Sequence, residues 1–223
     1  MRGAEAKVSR KKIIGINAVV KTRVPKKYRV AELDRKLRAE RTRSEAKLLH
    51  KAKLAGVDCP AVLEVGEFEI IMSLIRGKRP KMNESEAKEA GMILAKLHSA
   101  DIIHGDYTPA NLIVSTDNKL EKTKNQQSNL ETDKTKNGKN EIKMDASSDT
   151  RDNEKMFVID FGLGFISNDV EDKAVDVFTM LRAIGKNKKK VWESFLKGYS
   201  NYSRYEEVMR RVEVVEKRVR YAT

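Results

Sequence analysis

His104-Gly105-Asp106-Tyr107-Thr108-Pro109-Ala110-Asn111 is answered later in the chain by Val158-Ile159-Asp160-Phe161-Gly162. Together these stretches put two acids and an amide beside two apolar, strand-like runs, Leu112-Ile113-Val114 and Met156-Phe157-Val158-Ile159. Phosphoryl transfer from a nucleotide needs this combination. One carboxylate accepts the attacking hydroxyl's proton, while a second carboxylate and an amide oxygen hold Mg²⁺ against the phosphates. Carboxylate and amide oxygens suit Mg²⁺, a small, hard ion that shares its shell with phosphate and water. Either motif alone is more often a turn, because Gly and Asp both favour turns. The two in this order, each beside a strand-like run, are a specific signal.

Upstream of His104, Asn83-Glu84-Ser85-Glu86 has the pattern of a capping box. The helix it opens carries Ala87, Ala90, Ile93, Leu94 and Leu97 as a stripe to bury. That helix delivers the chain to Ile102-Ile103-His104. His104 reads as a packed, hydrogen-bonded scaffold residue of the loop, and His50 and His98 as structural.

Farther upstream, Lys12–Asn17 and Ala18–Lys21 read as short strands. Lys21 closes the second of them and is placed to reach α- and β-phosphates, provided an acid fixes its ammonium. It is also one of 18 Lys and Arg in residues 1–53. The helix predicted over Val30 to Leu54 supplies the acid: Glu45 is the candidate and Glu40 the alternative. Leu33, Leu37, Ala46, Leu48, Leu49 and Ala52 form its interrupted apolar stripe. Two further strands, over 61–65 and 68–72, lead to Ser73-Leu74-Ile75-Arg76-Gly77, a linker where an adenine would lie against backbone amides. Met72 flanks that position or is plain core. Arg2-Gly3-Ala4-Glu5-Ala6-Lys7-Val8 resembles a shortened nucleotide-covering loop in which only Gly3 is left of the usual glycines.

Downstream, only five of the 40 residues from 116 to 155 are apolar, and nine positive charges balance nine negative ones. Such a stretch cannot offset its ordering entropy by burial, so it is expected to be a disordered insertion at a hairpin tip whose flanks still pair. After Gly162 the chain passes almost directly into a helix over 171–183, followed by helices over 189–199 and 205–219. The basic end, Lys217-Arg218-Val219-Arg220-Tyr221, complements a helix dipole or suits RNA backbone and stacking.

Composition narrows the class. The 223 residues suggest one large domain or two small lobes sharing a cleft. No apolar run approaches the ~20 residues of a membrane span, and no signal segment opens the chain. Cys59, the single cysteine, reads as a buried small side chain in a reducing, cytoplasmic setting. The net charge of +13 is uneven: residues 1–53 carry +13, residues 186–223 carry +6, and the rest −6. A polyanion, nucleic acid first, is the partner this asymmetry implies.

With these residues in view, the chain resembles the small atypical protein kinase/ATPase subunit of the KEOPS (EKC) complex, the PRPK-like family. The marks are Gly3-Ala4-Glu5-Ala6, Val19-Val20-Lys21-Thr22-Arg23 with Pro25-Lys26-Lys27-Tyr28-Arg29, and Arg41-Thr42-Arg43-Ser44-Glu45-Ala46. They continue with His104 through Asn111, Asp160 through Phe165, and Glu171 through Asp176. The resemblance implies an α+β, reduced two-lobed protein-kinase-like fold. Residues 1–75 would form a small β-rich lobe and 76–223 a mostly helical lobe with a basic C-terminal tail. It also implies use of ATP and Mg²⁺, with autophosphorylation or ATP hydrolysis beside the threonylcarbamoyl transferase subunit and other KEOPS subunits. tRNA would be contacted through the basic N- and C-terminal regions. Under it, Lys21 and Glu45 form the phosphate-binding ion pair, Asp106 is the catalytic base, and Asn111 and Asp160 are metal ligands. Gly105 stands where an arginine would read a phosphorylated activation loop, so regulation by a partner is expected instead. A small-molecule phosphotransferase and a non-catalytic tRNA-binding scaffold are the competing readings.

Overall fold

The computed structural model describes residues 6–115, 154–185 and 188–221. A four-stranded antiparallel sheet comes first, in the order β1-β2-β4-β3. Its strands are β1 (Ala6–Ile13), β2 (Ile16–Arg23), β3 (Val62–Val65) and β4 (Glu69–Ser73). The hairpin between β1 and β2 turns at Ile14 and Gly15, with φ of 45° and 80°. Two consecutive left-handed residues give the turn whose twist matches paired strands. This corrects the expectation of one strand over Lys12–Asn17. Ala6 to Val8, expected in a covering loop, lie in β1; Gly3 lies outside the described residues.

Helix α1 (Ala31–Leu54) packs against β3 and β4. Its buried face is apolar mainly in the second half, at Leu48, Leu49 and Ala52; ahead of them Asp34, Thr42 and Glu45 are buried with Ala39. Leu33, expected in the apolar stripe, is 52% exposed. Charged side chains are almost never fully buried unless paired, and Asp34 has its partners: Arg38 Nε donates to it at 2.7 Å and the Lys26 amide at 3.2 Å.

Beyond the Leu74–Gly77 connector the chain is mainly helical. Asn83 caps α2 (Glu84–Ser99) with both bonds of the expected box: Glu86 N–H to Asn83 Oδ1 at 2.9 Å, and Asn83 N–H to Glu86 Oε2 at 3.0 Å. Short strand β5 (Ile102–Ile103) pairs with β8 (Phe165–Ile166), and β6 (Leu112–Ser115) pairs with β7 (Lys155–Val158). Helices α3 (Val170–Ile184), α4 (Lys189–Tyr199) and α5 (Tyr205–Tyr221) complete the fold. The core runs through Leu94, Leu97, Leu112, Val158, Phe161, Val177, Met180, Phe195 and Tyr199, all at most 1% exposed. Cys59 is buried among them and burial pushes its thiol up to about 11. No helix among the described residues is long and apolar enough to cross a membrane.

Helices α2 and α4 cross where neither carries a side chain. A Cβ on Gly91 would land on the Phe195 carbonyl oxygen, and one on Gly198 on the Lys88 carbonyl oxygen. Backbone cannot swing aside as a side chain can, so the helices themselves would have to part. Gly91→Ala is expected to lower stability by about 1–3 kcal/mol, read as a drop in the urea midpoint. A wild-type midpoint would show that this crossing has slack.

The antiparallel ladder of β6 and β7 ends on Ser115 opposite Lys155. Residues 116–153, where the insertion was expected to be disordered, lie outside the described residues, and β7 takes up the last residue of that expected span, Lys155. The flanks pair as expected, so a short turn can bridge them. Replacing residues 117–154 with a turn of ~2–5 residues is expected to leave cooperative unfolding intact. Loss of the thermal transition would mean that those residues carry part of the fold.

Candidate active site

Strand alternation puts side chains two apart on one face, and β2 uses this to present Lys21 and Arg23 together. Glu45 meets both from α1. Its Oε1 lies 2.7 Å from Lys21 Nζ and its Oε2 lies 2.7 Å from Arg23 Nη2, with the Glu45 side chain 1% exposed. Glu40 is exposed on the opposite side of the helix. Of the two acids left open by spacing, the structure pairs Glu45 with Lys21.

Lys21 Nζ also stands 2.5 Å from Asp160 Oδ1. Asp160 follows β7, where the Ile159 amide donates to the Asn111 carbonyl at 2.9 Å. It is held in the left-handed region, φ 63°, a conformation that costs a non-glycine residue of order 1 kcal/mol or more. Its Oδ1 accepts the Gly162 amide at 3.2 Å. Burial by itself would raise the Asp160 carboxyl, but the Lys21 charge and hydrogen bond and the Gly162 amide outweigh it and hold the pKa below its ordinary value. At neutral pH the group is therefore a carboxylate, the form a metal or a cationic side chain requires.

Asp106 precedes the 3₁₀ turn Pro109–Asn111, and Asn111 is its last residue. Asn111 Nδ2 donates to the Asp106 carbonyl at 2.8 Å and to Asp106 Oδ2 at 2.9 Å. This leaves the amide oxygen of Asn111 turned the other way. His104 sets the loop from beneath. Its Nε2 donates to the Ile159 carbonyl at 3.1 Å, so Nδ1 accepts the Asp106 amide at 3.3 Å. The scaffold role expected of His104 is what these bonds describe.

Sequence reasoning missed what holds this loop to the helices. Asp176 of α3 is 0% exposed and accepts the His104 amide at 2.6 Å and the Gly105 amide at 2.8 Å. Gly105 stands at φ 78°, and a Cβ there would run into the Leu163 carbonyl, so no side chain fits. Behind Asp176 lies His98, its Nε2 at 3.5 Å from Oδ2 and its Nδ1 at 2.7 Å from the Tyr199 hydroxyl. Burial lowers the pKa of His98, and the bond to Asp176 offsets this only in part. Lys173, also fully buried, donates to Asp101 at 2.8 Å and to the Tyr202 hydroxyl at 2.9 Å. The signal available in the sequence was a charged residue inside an apolar helical stripe, Lys173 and Asp176 among Ala174, Val177 and Phe178.

Met72 is buried between Val19 of β2 and Val62 of β3, in the core at the end of the strand leading to the connector. Beside that connector a groove of about 540 Å³ is lined by Arg10, Lys11, Lys12, Asn17, Ala18 and Leu74 through Gly77. The basic C-terminal helix is pinned in part: Arg211 and Arg218 both pair with Glu171 at the start of α3. The side chains of Arg220 and Tyr221 lie outside the described residues.

A model of the RIO domain matches residues 7–134, more than half of the chain. This chain belongs to the RIO-domain family. Among its relatives is the "Probable serine/threonine-protein kinase BUD32 homolog" of Archaeoglobus fulgidus, 39% identical over 98% of this chain and 94% of that one. Other relatives carry the name "Probable bifunctional tRNA threonylcarbamoyladenosine biosynthesis protein". Those of Methanosarcina mazei and Methanocorpusculum labreanum are 34% and 35% identical over 93% and 99% of this chain. The chain spans about a third of their length, 32% and 35%. Among solved structures, the Rio2 kinase–ADP/Mg²⁺–phosphoaspartate complex from Chaetomium thermophilum superposes with a TM-score of 0.60 over 100% of this chain and 70% of that one, at 14% identity. WaaP in complex with acyl carrier protein gives 0.57 over 94% and 80%, at 13% identity. The fold is thus protein-kinase-like α+β, an N-terminal sheet followed by a helical part.

Proposed function

We propose that this RIO-domain chain is an atypical serine/threonine kinase/ATPase that uses Mg-ATP in support of threonylcarbamoyladenosine modification of tRNA, as a KEOPS subunit. The observation that carries the chemistry is Lys21, bridging Glu45 on one side and Asp160 on the other. The sheet with α1 (residues 1–75) would act as the small lobe and residues 76–223 as the large one. Between them ATP would lie with its phosphates at Lys21 and its base toward Met72 and the connector. Gly3 belongs to the stretch assigned to cover the phosphates.

Asp160 and the outward amide oxygen of Asn111 are the residues that would hold Mg²⁺. One carboxylate and one amide fit an ion that completes its shell with phosphate and water. The ion, when bound, neutralises charge that develops on the transferred phosphoryl group. Asp106 accepts the proton of the attacking hydroxyl or water, and Asn111 keeps that carboxylate turned toward it. Lys21 orients the phosphates while Glu45 fixes its ammonium.

The names of the relatives support the pathway, and the charge distribution supports tRNA as a partner, reached through the basic N-terminal and C-terminal regions beside the threonylcarbamoyl transferase subunit in the cytoplasm. The decisive experiment follows labelled γ-phosphate from Mg-ATP with the protein alone, with tRNA, and with the transferase subunit. Label on protein or released as phosphate, altered by partner or tRNA and abolished in Asp160→Ala, is the expected result. Label on a small cationic metabolite would establish a small-molecule phosphotransferase instead. ATP binding with no turnover in any mixture would leave a tRNA-binding scaffold.

A further inference from the structure

Among the described residues, Arg23 is the buried cation of the sheet to which the phosphoryl-transfer reading gives no task. It is 5% exposed. Its amide closes the sheet edge against the Phe68 carbonyl at 2.8 Å, and its own carbonyl accepts Arg38 Nη1 at 3.5 Å. The guanidinium reaches into α1 at two points one turn apart, the Arg41 carbonyl at 3.4 Å and Glu45 Oε2 at 2.7 Å. A planar guanidinium suits such a two-point hold because its donors leave it in fixed directions.

The carboxylate of Glu45 is therefore divided, one oxygen to Lys21 and the other to Arg23. The two cations differ in what else they do. Lys21 is shared with Asp160, and in the reaction it must also serve phosphate oxygens. Arg23 is committed to α1. A carboxylate as buried as Glu45 is strongly disfavoured once its partner leaves. If Lys21 were the sole partner, any excursion toward phosphate would release Glu45, and α1 with it. Arg23 removes that conflict. It keeps Glu45 compensated and in one orientation while Lys21 moves between carboxylate and phosphate. A Cβ on Gly162 would lie 3.3 Å from Lys21 Nζ and 3.5 Å from Arg23 Nη2. Both cations thus close on the same short turn beside Asp160.

We infer that Arg23 is a positioning residue for phosphoryl transfer, clamping Glu45 so that its free oxygen holds Lys21 at the phosphate site. This rests on the Mg-ATP reading above. It acts through Glu45 and need not touch substrate, which sets its test apart from that of a merely structural residue.

The experiment is a double-mutant cycle on the full chain, reading kcat and KM for Mg-ATP together with thermal midpoints, for Arg23→Met, Arg23→Lys, Glu45→Gln and the double variant Arg23→Met/Glu45→Gln. Misalignment by a fraction of an ångström to an ångström costs roughly 10–100-fold in rate. Arg23→Met is expected to lose about that much of kcat/KM, mainly in kcat. Arg23→Lys keeps a charge within reach of Glu45 but not the second hold on Arg41, so it should fall between Met and wild type. In the Glu45→Gln background, Arg23→Met should cost nothing further. Wild-type kinetics in folded Arg23→Met would overturn the inference, as would a full additive loss on top of Glu45→Gln. If Arg23→Met does not fold, the same cycle run with Arg23→Lys decides, an unaltered kcat/KM refuting the clamp. Absence of ATP turnover by the wild type would instead bring down the Mg-ATP reading, and the inference with it.

Discussion

Asp106→Ala is expected to lower ATP turnover by ~10²–10⁴-fold, about 3–5 kcal/mol of barrier, the usual contribution of a general base. The geometry makes this a clean substitution. Asn111 Nδ2 holds the loop through two bonds, one to the Asp106 carboxylate and one to its backbone carbonyl. The second survives the loss of the side chain. His104 still receives the residue-106 amide, because that bond too is to backbone. The loop should keep its shape and the protein its thermal midpoint, while the proton acceptor disappears. Nucleotide affinity should change little, since Lys21, Glu45 and Asp160 pair without Asp106. Turnover is measured as phosphate released or incorporated under single-turnover conditions. A folded variant with wild-type turnover would refute the assignment of Asp106 as base. Asp106→Asn sharpens the result, for it keeps the shape of the side chain and removes only its capacity to take a proton.

Most of the elements were legible because the sequence signals are local. The capping box at Asn83, the helices after Gly162 and the pairing of the insertion's flanks needed only spacing and composition. Glu45 was nearly so. Thr42, Glu45, Leu49 and Ala52 recur at steps of three and four and share the buried face of α1, whereas Glu40 falls on the solvent side. That periodicity was available and separates the two acids. Leu33 misled for the complementary reason. The first turns of α1 bury Asp34 beneath a loop, so an apolar residue one position away is turned outward.

What stayed hidden depends on contacts between distant parts of the chain. The β1–β2 turn was missed because Ile14, a β-branched residue, occupies a conformation that such residues rarely adopt. In the sequence Arg23 and Asp176 stand inside longer stretches, with no signal that gives either a role of its own. Nothing near Asp176 in sequence says that its carboxylate will receive two amides from a loop more than 70 positions earlier. Nothing near Arg23 says that its guanidinium will be buried.

Asp176→Ala is for this reason the substitution expected to do the most damage outside the reacting groups. It strips two amides, the buried one of His104 and the part-buried one of Gly105, of their acceptor. Each unsatisfied buried donor costs about 1–3 kcal/mol, so the loss should reach roughly 2–6 kcal/mol, a large part of the stability of an ordinary domain. Gly105 has little room to relax toward another partner, because the Leu163 carbonyl occupies the place a Cβ would take. The loop that carries Asp106 would lose its anchor to α3, and His98 would lose the neighbour that offsets its burial. Asp176→Asn separates anchoring from charge. Its amide group offers one acceptor where the carboxylate offers two and sets an N–H donor against the other backbone donor, so it should recover only part of the stability. Urea unfolding gives the loss directly, and turnover measured where each variant is fully folded gives the cost of a loosened loop, about 10²-fold for a misplacement near 1 Å. A variant as stable as wild type would show that the two amides find water or another acceptor, and that α3 does not set the position of the catalytic loop.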